Sequence, residues 1–166
     1  MKYRYVTCLF FAAFILQTTL MNAINIAGVT PNLLLCLVVI FSFLYDENYY
    51  GIVYGVVFGL LYDICFAQYT GITALIFLGL SIAIILASII MNKELILSVV
   101  IVSAGATTAH TLAYWAITAM LGSNYSFIYV IQFLPLYILY NMAVVIILYY
   151  AMIKKVIRHH NDRYYR

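Results

Sequence analysis

Long apolar runs separated by short polar punctuation make up this chain. A helix needs about 20 mostly apolar residues to cross about 30 Å of hydrocarbon. The pattern predicts six such segments, over residues 6–27, 31–45, 49–66, 71–91, 95–121 and 127–153. "TPNLLL" opens the second, with Thr30 placed to cap and Pro31 suited to a first helical turn. That segment holds only about 15 residues, or about 22 Å of helix. It must start below one membrane face, thin the bilayer, or sit behind other helices. "DENYY" (46–50), "QYTG" (68–71), "NKE" (92–94) and "GSNYS" (122–126) supply the later turns, with Thr70 as the expected cap of the fourth helix. Pro135 should kink the sixth.

Charge placement orients this arrangement. The basic residues are Lys2 and Arg4 at one end, Lys154, Lys155, Arg158, Arg163 and Arg166 at the other, and Lys93 between them. With six crossings and both termini cytoplasmic, every one of them lies inside, as the positive-inside rule requires. Residues 154–166 then form a basic cytoplasmic tail, suited to anionic lipid or a cytoplasmic partner. Tyrosines such as Tyr3, Tyr45, Tyr69, Tyr125 and Tyr150 fall near the expected interfaces, where aromatic belts form. The first apolar run lacks a small-residue cleavage site behind a short core, so it is expected to remain as a helix.

Composition agrees with a chain that lipid must clothe. Of the 166 residues 67% are hydrophobic and 8% charged, with mean hydropathy +1.09; a soluble domain carries roughly a quarter charged residues. Basic residues at the segment ends form no stripe of the kind nucleic acid requires. Cys8, Cys36 and Cys65 fall singly, at no metal-ligand spacing, and read as apolar fillers. The turns are too short to hold a phosphate-binding loop or a soluble domain. No catalytic set is apparent: there is no Ser/Lys or Ser/His pair at workable spacing, no HExxH, and no second acid beside the intramembrane Asp63. The expectation is a non-enzymatic, all-α membrane bundle without metal or cofactor.

Within the spans, "GIVYGVVFGLLYD" stands out. Gly51, Gly55, Gly59 and Asp63 recur every fourth residue, which places them on one helix face. Such a stripe lets another backbone approach closely, either within the bundle or on a partner protein. An acid in the bilayer costs roughly 2.5–3.5 kcal/mol on translocon scales, so Asp63 should face inward and find a donor. Two donors are available. One is the exposed amides near Thr70 and Gly71 at the start of the fourth helix, which would close a hairpin. The other is His110, which lies about 20 Å from the same membrane face as Asp63. Gln17, Asn22, Asn25, Thr107, Thr108, Thr111 and Asn141 are further polar residues inside spans, and the strip around His110 could line a small-molecule cavity or join helices.

"TPNLLLCLVVIFSFL" (30–44) followed by "GIVYGVVFGLLYDICFAQYTGITAL" (51–75) resembles MreD, the rod shape-determining membrane protein family. The matching positions are Pro31, Asn32, Gly51, Gly55, Gly59, Leu60, Asp63, Gly71, Ala74 and Leu75. The resemblance implies a multi-pass protein of the bacterial cytoplasmic membrane that binds the bitopic protein MreC. Through it, the chain would connect to the MreB filament, a RodA-type glycosyltransferase and a class B penicillin-binding protein. It also implies a fold similar to the substrate-binding subunits of energy-coupling-factor transporters. A vitamin-binding transporter subunit is therefore the alternative reading. Those subunits use an Ala-x-x-x-Ala patch in their first helix; here Ala23 and Ala27 have that spacing but lie near the expected outer end.

Overall fold

The computed structural model describes residues 3–19, 28–45, 49–124 and 126–164, with side chains to residue 152. These residues form α1 (Tyr3–Thr19), α2 (Leu33–Leu44), α3 (Tyr49–Phe66), α4 (Ile72–Ile90), α5 (Ile96–Met120) and α6 (Phe127–Tyr164). Four of them, α3, α4, α5 and the Phe127–Met152 part of α6, are long and apolar enough to cross a membrane. The expected continuation of the first span through 20–27, and the turn residues 46–48, lie outside the described residues. The basic segment after residue 153 continues the α6 backbone helix to Tyr164. Pro135 sits inside that helix, which is assigned as unbroken on either side of it.

The organising element is the shortest one. Helix α2 has 12 residues, about 18 Å at 1.5 Å per residue. Every residue from Leu34 to Leu44 is buried, and α2 touches all five other helices. A helix that is apolar all round is a core element; this one lies behind its neighbours rather than spanning alone. An aromatic group fastens α1 and α3 onto it. The Phe10 ring lies 5.6 Å from Phe41 of α2 and 5.4 and 5.6 Å from Tyr54 and Phe58 of α3. At the other end of the bundle from α1's finish, Tyr149 of α6 donates to the Glu94 carbonyl at 2.7 Å, which holds α6 against the turn before α5.

Candidate functional site: a glycine-seated hairpin beside a polar cavity

The glycines of α3 are filled from within the chain. Gly51, Gly55 and Gly59 are all buried. A Cβ on Gly51 would collide with the Ser42 side chain of α2. One on Gly55 would come 2.9 Å from Val38 Cγ2, and one on Gly59 would come 3.1 Å from the backbone N and Cα of Ala74 in α4. So α3 lies in a trough between α2 and α4, closest to α4's main chain at Gly59. Ser81 uses the space above Gly51: its Oγ lies 3.2 Å from the Gly51 carbonyl and 2.7 Å from that of Phe77. Of the two readings of the stripe, packing within the bundle or against a partner, these contacts are of the first kind, with α2 and α4 lying against it. Side-chain periodicity identifies a face but not its neighbour.

Asp63 ends the same stripe, fully buried. Its Oδ2 accepts the backbone N–H of Thr73 at 2.8 Å. Thr73 is the second residue of α4, where the first amides have no intrahelical partner. The carboxylate therefore serves as a cap supplied from the preceding helix and closes the α3–α4 hairpin. Thr70, the expected cap, is exposed and does not fill that role. The N-cap position belongs to Gly71, at φ 94°, which makes no side-chain cap bond. A left-handed residue at that point favours glycine. Asp63 Oδ1 has no hydrogen-bond partner among the described residues.

His110 does not pair with Asp63. Its Nε2 is buried without a hydrogen-bond partner among the described residues, and its ring neighbours Phe77 and Tyr114 at centroid distances of 5.5 and 6.3 Å. Among the motif residues, Pro31 is buried and Ala74 packs against Gly59. Leu60 and Leu75 are exposed on the outside of the bundle.

Three side-chain amides, two of them distant in sequence, solve a problem created by the shortness of α2. Its first amides have no intrahelical partner, and in an apolar bundle each must be satisfied by protein. Asn32, not Thr30, is the N-cap: its Oδ1 accepts Leu35 N–H at 3.0 Å. Gln17 of α1 accepts Leu33 N–H at 2.6 Å, and Asn141 of α6 accepts Asn32 N–H at 2.8 Å. Asn141 also donates to Thr107 Oγ1 of α5 at 3.2 Å. Sequence reading marks these residues as polar within spans, but it contains no signal that joins Gln17 and Asn141 to one helix end.

Above that cluster lies a cavity of about 360 Å³. Gln17, Asn32 and Asn141 line its floor with His110, and Thr111 and Thr118 of α5 line a wall. Rings from Tyr62, Trp115, Tyr129, Phe133 and Tyr137 also line it, as does Thr73, whose amide Asp63 holds. Asn141 lies about 21 Å along α6 from its first residue, and its bond to Asn32 N–H sets that part of the cavity beside the α2 N-terminus. Among the described residues, no group of three or more His, Cys, Asp or Glu side chains is placed to hold a metal ion.

The sequence profile of the family described as rod shape-determining protein MreD matches residues 1–157. No curated protein and no solved structure matches the chain. A match over 157 of 166 residues takes in all of α1–α5 and most of α6. With an all-helical, apolar bundle built around the Pro-Asn cap and the Gly-Asp stripe, this chain belongs to the MreD family of membrane proteins that determine rod shape.

Proposed function

We propose that the protein is a non-catalytic membrane scaffold of the cell-elongation machinery. The observation that carries this reading is the family match over residues 1–157. In this reading the chain crosses the cytoplasmic membrane six times with both termini inside, and α2 completes its crossing behind the other helices. It binds an MreC-like bitopic protein and, through it, an MreB-like filament, a RodA-like glycosyltransferase and a class B penicillin-binding protein. Gly51, Gly55 and Gly59 serve by packing the bundle, and Asp63 with Gly71 sets the hairpin. The partner-binding face therefore lies elsewhere, on surface that α2 and α4 leave open. Leu60 and Leu75, motif residues exposed on the outer surface, are suited to such a face.

Depletion in a rod-shaped host should give rounded cells, and tagged protein should co-purify an MreC-like partner. Rods of normal shape after depletion would refute the scaffold role. The second reading, a substrate-binding transporter subunit, is favoured by the polar cavity alone. Co-purification of a cytoplasmic ATPase pair in place of an MreC-like protein would reverse the ranking.

A further inference from the structure

We infer that the cavity over the α2 N-terminus is a binding site for an uncharged ring compound bearing hydroxyl or amide groups. Its volume of about 360 Å³ falls in the range of small-molecule pockets, about 300–1,000 Å³. Polar side chains are costly at membrane depth and mark function when packing does not require them. Gln17, Asn32 and Asn141 are accounted for by the backbone of α2. His110 is not: its ring borders the cavity, while its Nε2 is buried beneath that surface with no partner among the described residues. Thr111, Tyr129 and Tyr137 add hydroxyl-bearing side chains to the lining, which a ligand hydroxyl or amide can meet.

The lining also selects by charge. Among the described residues, it contains no Asp, Glu, Lys or Arg. An ionised ligand would enter low dielectric without a counter-charge, which is strongly unfavourable. The flat faces of Trp115, Tyr129 and Phe133 favour a ring, with hydroxyl and amide groups at the floor to fix its orientation. The site does not depend on the scaffold role, since ligand binding and partner binding can be read separately.

Trp115 lines the cavity and is the chain's single tryptophan, so its emission reports occupancy. The full chain, reconstituted in phosphatidylcholine vesicles, would be titrated with phenyl β-glucoside, phenyl phosphate and benzylamine. Saturable change with the glucoside and none with the two charged probes is the expected result. Thr111→Phe, which fills the cavity from α5, should weaken glucoside binding at least ten-fold. Gly79→Leu should leave it unchanged, since a Cβ there meets nothing within 4 Å. If Thr111→Phe does not fold, Tyr137→Phe is read instead, with an expected loss of about three-fold from one lining hydroxyl. Absence of saturation with the glucoside in folded protein would overturn the inference. Equal response to the charged probes would do the same, as would glucoside binding that neither cavity variant alters.

Discussion

The two sides of the bundle handle apolar sequence in opposite ways. Around α2, α3 and α4 the chain removes side chains: three buried glycines bring backbones together, and one carboxylate ties the hairpin. Around α5 and α6 it adds polar atoms and leaves space, with about 360 Å³ bounded by hydroxyls, amides and rings. In the apolar stretch of α4, 44% of residues are buried inside the molecule; in that of α6 the share is 11%. In lipid, association between helices depends on close packing and hydrogen bonds rather than on hydrophobic drive. The tight side is thus held by close backbone packing, and the hollow side by side-chain hydrogen bonds such as those of Asn141 and Tyr149.

The largest difference between the sides should appear at Gly59. Gly59→Leu must displace the α4 main chain at Ala74 and should destabilise by about 3 kcal/mol or more, beyond ordinary overpacking. Gly105→Leu on the hollow side, where a Cβ meets nothing within 4 Å, should stay within about 0.5 kcal/mol. Thermal unfolding in detergent reads both, and equal losses would remove the contrast.

Asp63 ranks next. Asp63→Ala leaves the Thr73 amide open in the bundle and should cost about 1–3 kcal/mol. Asp63→Asn retains a carbonyl acceptor and should recover most of that loss, along with cell shape. Failure of the asparagine variant to restore shape would make the charge itself functional.

Asn141→Leu should cost about 1–3 kcal/mol on the same grounds, because Asn32 N–H loses its acceptor. Hydrogen exchange should rise first at the Asn32 amide, while Leu33 N–H keeps its acceptor Gln17. The smallest effect belongs to the cavity wall: Thr111→Val should shift stability by less than about 0.5 kcal/mol, because the threonine hydroxyl bonds only back to its own helix at Thr107 O, 2.8 Å away.

These contrasts also mark how far the sequence could be read. Spacing of four places Gly51, Gly55, Gly59 and Asp63 on one face, and the cost of a buried acid requires a donor for it. Which helices fill the stripe is a tertiary fact, and nothing in the α3 segment names Ser42, Val38 and Ala74 as its neighbours. Two caps differ from expectation for a local reason. Thr30 and Asn32 flank Pro31, and either can cap, but only Asn32 directly precedes Leu33 at the start of the helix. At α4 the left-handed backbone of Gly71 displaces Thr70, and Asp63 from the neighbouring helix supplies the acceptor. The strip around His110 is legible as a possible cavity lining, and His110 and Thr111 do line one, but periodicity within α5 cannot name the residues of α6 or Gln17, Tyr62 and Thr73 that face them.

Gly55→Leu in the isolated chain, with no partner present, tests the central claim most directly. Its Cβ would lie 2.9 Å from Val38 Cγ2 and 3.6 Å from Phe77 Cβ, so the bundle should lose cooperative thermal unfolding or show a markedly lower midpoint. A variant that unfolds like the wild-type chain yet no longer binds an MreC-like partner would contradict it, because the stripe would then be a seat for another protein.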